Sequence, residues 1–201
     1  MIKNNIEIVS LIYKSTDYLS FIHDQLISKC CQVSGWDVGV RIVANDACCD
    51  VINKLKSLSI PYSIYNDPNP SSYYLNRVYR CWNHCVSSSK YDNVCLVNSD
   101  MAFSSSWLKN LLKHHNGTNV PCSRLVESGK MPSGHHGISM DFGRSPKEFR
   151  KDEFEKYANQ ISEDRLEPDG LFMPVVFERE RFIQSGGYPE GNIYTSGIGA
   201  I

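Results

Sequence analysis

No apolar run in the sequence approaches the ~20 residues that a membrane-spanning helix needs. Charge of one sign is also missing. The chain carries 21 Lys and Arg against 22 Asp and Glu, a formal net charge of −1 over 201 residues. Without a basic excess the composition gives no global support for nucleic acid as a partner, and none is expected, although local positive charge can still gather around a phosphate. Met1-Ile2-Lys3-Asn4-Asn5 leads into an apolar run broken by Lys14 and Asp17, with neither the apolar length nor the small-residue cleavage site of a secretory signal. The expectation is a cytoplasmic domain, peripheral to a membrane if its acceptor is anchored there. Eight cysteines are present, at 30, 31, 48, 49, 81, 85, 95 and 122, but no Cys-x-x-Cys, so the ligand spacing of a zinc site is absent. Buried reduced thiols are the expected state. Asn116-Gly117-Thr118 has the form of a glycosylation sequon, and without a secretory signal it reads as a turn.

What is present is an ordinary globular composition, 41% hydrophobic and 21% charged, long enough for one core and one domain over 1–201. Short β-branched runs alternate with helical patterns in the first half. Strands are expected at Ile6–Ile12, Val38–Ala44, Tyr62–Tyr65 and Val94–Val97. Helices are expected between them, from Thr16 or Asp17 as cap through Ile27, over Val51–Leu58, and from about Ser72 to Ser88. After the fourth strand, Ser104-Ser105-Ser106 is placed to cap a helix carrying Trp107, Leu108, Leu111 and Leu112. This alternation predicts an α/β fold with a mostly parallel sheet flanked by helices.

The second half is less regular. Strands are expected over Val120–Val126 and Leu171–Phe177, with a long Gly-, His- and Ser-rich loop over Gly129–Arg144. Ser145-Pro146 reads as the opening of a charged helix running to about Gln160. Gln184–Ile201 holds five of the thirteen glycines and matches no regular element.

Ligands of open parallel sheets bind at the carboxyl ends of the strands. Polar clusters occupy three such ends: Tyr13-Lys14-Ser15, Asn45-Asp46 and Asn98-Ser99-Asp100. A strand-end carboxylate beside a helix N-terminus can hold Mg²⁺ or Mn²⁺ against a diphosphate, because these hard cations take oxygen ligands and borrow several from substrate. Asp100 is the candidate metal ligand, with His136 a weaker one. The plainer reading, in which Asn98-Ser99-Asp100 only caps the next helix, stays open on the residues alone. So do Asp46 as a turn residue and Arg77 as a solvated helix residue. His114-His115 and His135-His136 are adjacent loop histidines, and Trp36, Trp82 and Trp107 read as scaffold aromatics.

In order and spacing these residues resemble the family 2 glycosyltransferases of the GT-A fold. Val9-Ser10-Leu11-Ile12 and the Tyr13-Lys14-Ser15 turn match that family's opening strand and nucleotide-contacting turn. Asn45-Asp46 matches the acidic pair whose Asp contacts the base. Asn83 stands fifteen residues before Asn98, Arg77 stands six before Asn83, and Phe182–Tyr188 is similar to the family's Gly-Gly-aromatic segment near the acceptor.

The resemblance implies transfer of a sugar from a nucleotide-diphosphate sugar to the hydroxyl of a carbohydrate or lipid-linked acceptor, inverting and dependent on Mn²⁺ or Mg²⁺. It implies a nucleotide-sugar half over 1–115 and an acceptor half over 116–201, with Tyr13, Lys14, Ser15, Asp46, Arg77, Asn98 and Ser99 on the nucleotide and Asp100 on the metal. One departure stands out. The family's acidic pair after the Gly-Gly-aromatic segment has no counterpart, leaving Glu190 and Asp169 as the nearest candidates for a base. The expectation is therefore a chain lacking the family's C-terminal part, with the catalytic carboxylate downstream. Two alternatives remain: a nucleotide- or sugar-binding module without activity, and a nucleotidylyltransferase. The latter wants a Gly-rich loop after the first strand, where this chain has Tyr13-Lys14-Ser15-Thr16.

Overall fold

A computed structural model of the chain describes residues 4–30, 32–69, 73–129, 136–169 and 173–190. Cys31, Ser72, His135, Leu171 and the chain after Glu190 lie outside these residues. A five-stranded sheet forms the centre, built from β1 (Asn5–Ile12), β2 (Asp37–Asn45), β3 (Tyr62–Tyr65), β4 (Asn93–Val97) and β7 (Val175–Glu178). Its order is β3-β2-β1-β4-β7, and the first four strands run parallel. β7 closes one edge antiparallel to β4. The expected α/β architecture, a mostly parallel sheet between helices, is the observed one.

The strand sequences explain why both faces are covered. Side chains alternate along a strand, so Ile6, Ile8, Ile42, Ala44, Cys95 and Val97 enter one core and Val9, Val43, Val94 and Leu96 the other. The first core is filled by α1 (Thr16–Lys29), α2 (Cys49–Ser57) and α4 (Trp107–Lys113), through Leu19, Ile22, Leu26, Val51, Leu55, Trp107 and Leu108. The second is filled by α3 (Tyr74–Ser87) and α6 (Arg179–Gln184), through Cys81, Trp82, Cys85, Val86 and Phe182. Continuous burial on both faces is what a central parallel strand requires, and β4 is buried at all five positions.

Several expected boundaries shift for identifiable reasons. The cap of α1 is Ser15, whose Oγ accepts the Tyr18 N–H at 3.2 Å, rather than Thr16 or Asp17. None of Ser104-Ser105-Ser106 caps α4 through its hydroxyl at the cap position. Instead Glu155 Oε1 accepts the Ser105 N–H at 2.8 Å, and Lys29 bridges Glu155 and Ser105. The charged helix α5 spans Lys151–Ile161, not Ser145 onward. Residues 145–148 close a single turn, and the Arg150 N–H donates to Phe142 O at 2.8 Å, which interrupts the helical ladder.

The strand expected over Val120–Val126 reduces to an isolated bridge, Cys122 with Val175, and the two-residue β5 (Val126–Glu127). Pro121 has no N–H to continue a ladder, although its carbonyl accepts the Val176 N–H at 3.0 Å. β5 pairs with β6 (Ile138–Ser139), inside the segment expected to be loop throughout.

Among the described residues no helix is long and apolar enough to cross a membrane. The buried-thiol expectation holds for Cys30, Cys81, Cys85 and Cys95. Cys48 and Cys122 are half-buried, and Cys49 is exposed at the start of α2.

Candidate functional site at the strand ends

The sheet brings the carboxyl ends of β1, β2 and β3 together. β1 and β2 pair in register through Ile12 and Ala44, so Tyr13 and Asn45-Asp46 emerge side by side. Asn45 pairs with Tyr65 at the end of β3. Asp46 leaves β2 in the left-handed region, φ 46°, a conformation costly to a residue with a Cβ. Two bonds hold it there: its N–H donates to Tyr65 O at 2.9 Å, and its Oδ1 accepts the Asp67 N–H at 2.8 Å.

Its second oxygen, Oδ2, is buried without a hydrogen bond and lies 3.9 Å from a terminal nitrogen of Arg77. Arg77 Nε is buried and unbonded as well. Buried polar atoms are nearly always satisfied in folded proteins, so two orphans beside one another mark a place built for a polar ligand.

Tyr13 completes this corner. It is 39% exposed, with the Arg77 guanidinium 5.5 Å and the Lys14 ammonium 4.6 Å from its ring centre. The Lys14 cation first and the Arg77 cation second, both beside the phenol, hold its pKa below the usual tyrosine value. The corner offers a flat aromatic face, two cations and a carboxylate acceptor. Ser15 sits beside it with its hydroxyl engaged as the α1 cap.

Asn98, Ser99 and Asp100 follow β4, the neighbour of β1 on the other side. Asn98 and Asp100 are exposed, and both line a cleft of about 1770 Å³ with Tyr79, Trp82, Arg124 and His136. Tyr13, Asp46 and Arg77 do not line it. The sequence-predicted residues thus form two groups: one at the ends of β1 and β2, one at the end of β4 facing the cleft.

Among the described residues no ion-pair or hydrogen-bond partner faces the exposed Asp100 carboxylate, which leaves it available as a hard oxygen donor. Among the described residues there is no group of three or more His, Cys, Asp or Glu side chains able to hold a metal. His136 is occupied elsewhere: its ring nitrogens lie 3.1 Å from Glu167 Oε2 and 3.0 Å from Pro168 O. The donor set fits an ion held by one carboxylate and completed by phosphate and water, and does not fit an all-protein cage.

The two carboxylates expected as candidate bases are placed less favourably. Asp169 is exposed with φ 63°, and neither it nor Glu190 lines the cleft. Glu190 accepts a hydrogen bond of 2.5 Å from Asn83 Nδ2. Asn83 is the structural amide of the Gly-Gly-Tyr segment: it also donates to Tyr188 O at 2.9 Å and accepts the Tyr188 N–H at 2.9 Å.

Sequence reasoning passed over Asp67 and Arg80. Arg80 grips both oxygens of Asp67, at 2.9 Å from Nε and 2.6 Å from Nη2, and the Asp67 side chain is 0% exposed. Burial pushes the Asp67 carboxyl up, but the Arg80 and Asn69 hydrogen bonds outweigh it and hold its pKa below the usual range. A turn motif, Asn66-Asp67-Pro68, hid this pair, since nothing in a turn signature announces a partner thirteen residues on. Glu127 was also passed over; it lines the cleft, and its Oε2 is buried without a hydrogen bond.

No protein-family model matches the chain, and no curated protein matches it in sequence. Solved structures do match in fold. Residues 1–349 of S. aureus TarS match with a TM-score of 0.55 at 12% identity, over 95% of this chain and 52% of that one. The mannosyltransferase PcManGT of Pyrobaculum calidifontis, in complex with GDP-Man and Mn²⁺, matches at 0.55 and 11% identity, over 97% and 48%. TarS 1–349 in complex with UDP-GlcNAc matches at 0.52 and 12% identity, over 92% and 48%. The chain thus spans about half the length of each, and shares their GT-A-like fold.

Proposed function

We propose that the chain binds a nucleotide-diphosphate sugar across the carboxyl ends of β1, β2 and β4 and transfers its sugar to an acceptor hydroxyl, with inversion. The observation that carries this reading is the corner of Tyr13, Asp46 and Arg77, where two buried polar atoms lack hydrogen bonds. Support comes from the fold match, since PcManGT is bound to GDP-Man with Mn²⁺ and TarS to UDP-GlcNAc.

In this reading Tyr13 is the platform for the base, and Asp46 Oδ2 accepts an N–H from its edge. A carboxylate acceptor favours uracil, thymine or guanine, which present a ring N–H, over cytosine, which presents a lone pair there. Lys14 and Arg77 face the phosphates, and Ser15 fixes the start of α1 beside them. Asn98 and Ser99 orient the ribose or sugar. Asp100 would hold Mn²⁺ or Mg²⁺, which when bound neutralises charge on the leaving diphosphate.

Residues 1–115 then form the donor half and 116–201 the acceptor half, with the carbohydrate or lipid-linked acceptor in the cleft beyond Asp100. The base that takes the acceptor proton is left between Glu190, Asp169 and a carboxylate outside this chain. Neither named residue lines the cleft, which favours, as second reading, a donor-binding module without turnover of its own.

A panel of nucleotide-sugars with Mn²⁺, scored for transfer and for hydrolysis, separates the two. Turnover abolished by Asp100→Ala supports the transferase. Binding without turnover supports the module, and no binding of any nucleotide or nucleotide-sugar overturns both.

A further inference from the structure

We propose that Arg80 and Asp67 form a positioning clamp that aims the Asp46 carboxylate at the donor base; the inference rests on the donor reading above. Among the described residues, Arg80 hydrogen-bonds to none of the strand-end residues assigned to the donor. Its contacts are the two oxygens of Asp67 and, at 2.6 Å, the carbonyl of Asn69. Asp67 Oδ1 in turn accepts the Asn69 N–H at 2.9 Å. The loop after β3 is therefore locked from both sides onto α3. Toward the site, the Asp67 N–H of this loop donates to Asp46 Oδ1 at 2.8 Å and fixes it.

Pinning one carboxylate oxygen orients the other. With Oδ1 held, Oδ2 is the oxygen left without a hydrogen bond, 3.9 Å from the Arg77 guanidinium. A buried ion pair is a poor device for stability, because desolvation offsets most of its attraction. It is a good device for geometry, since the guanidinium fork meets both carboxylate oxygens in one arrangement. The ligand then finds the acceptor already oriented, and the ordering cost on binding is reduced. Asp46 also needs such support, because its φ of 46° has to be imposed by its neighbours.

The test is a double-mutant cycle on nucleotide affinity. UDP, dTDP and GDP are titrated calorimetrically with MnCl₂ into the native chain, and the tightest is carried forward. Arg80→Lys keeps the charge and loses the fork; Asp67→Asn keeps the shape, and serves if the lysine variant fails to fold. Either is expected to weaken binding about tenfold, the scale of a misoriented charge-assisted hydrogen bond. In an Asp46→Asn background the same change is expected to cost less than about twofold, because the group being aimed is gone.

Equal losses in both backgrounds overturn the clamp and leave Arg80 as scaffold. A native chain that binds none of the three nucleotides overturns the donor reading and the clamp with it. Melting temperatures taken in parallel register any scaffold effect separately.

Discussion

Replacing Gly187 by alanine should destabilise the chain far more than replacing its neighbour Gly186. Both have positive φ, +67° and +89°, so each alanine meets the backbone cost of a left-handed residue, about 1 kcal/mol. They differ in what a Cβ would touch. At Gly186 nothing lies within 4 Å; at Gly187 the new carbon would sit 2.6 Å from Asn83 Oδ1 and 3.1 Å from Phe182 Cε1.

Asn83 cannot yield cheaply, because it bonds both backbone polar groups of Tyr188 and the Glu190 carboxylate. Overpacking costs about 1–3 kcal/mol and each lost hydrogen bond about 1 kcal/mol, which puts Gly187→Ala at about 3–5 kcal/mol. In a domain of this size each kcal/mol lowers the melting temperature by about 2–4 °C, so the expected fall is roughly 6–20 °C, against about 2–4 °C for Gly186→Ala. Thermal unfolding followed by circular dichroism reads both. Equal shifts for the two variants would refute the claim that Asn83 and Gly187 lock together.

Acid should expose the Asp67–Arg80 pair. The folded pKa of Asp67 lies below its unfolded value, so its contribution is complete above about pH 4 and is lost as pH falls through the folded pKa. Urea unfolding from pH 7 to 3 is expected to show an acid loss that is reduced in Asp67→Asn, although that variant starts out less stable at pH 7; an unchanged acid limb contradicts the assignment. Thiol labelling resolved by mass spectrometry should modify Cys49 first, Cys48 and Cys122 more slowly, and Cys30, Cys81, Cys85 and Cys95 only on unfolding. Early labelling of Cys95, which lies within the interior strand β4, would contradict the packing.

The first half of the fold was legible because its elements are defined locally. Tyr62–Tyr65 was expected and found at the same bounds, and β1, β2 and β4 differ by a residue or two at their ends. Buried parallel strands between amphipathic helices announce themselves by composition. The second half was less legible: the charged helix and the strand before Glu178 were expected, with shifted starts, but their neighbours exist through distant pairing, Cys122 with Val175 and β7 with β4.

The candidate site divides in the same way. Asp46, Asn98 and Asp100 stand at strand ends, which a sequence marks. The Asp67–Arg80 pair and the hold of Asn83 on Tyr188 join a loop or a tail to one face of α3, and neither spacing has a periodic signature. The partners of His136, Glu167 and Pro168, were hidden for a related reason: they lie across a fold that sequence alone does not close.

The central claim is that a nucleoside diphosphate occupies the strand ends, with its base on Asp46 and its phosphates toward Asp100. Calorimetric titration of UDP, dTDP, GDP and CMP, with and without Mn²⁺, tests it most directly. The account predicts binding of at least one of the first three that is stronger with Mn²⁺. It also predicts an affinity lowered by Asp46→Ala whether or not the metal is present, and a metal enhancement removed by Asp100→Ala. Binding that neither substitution alters, or that favours CMP, would contradict it.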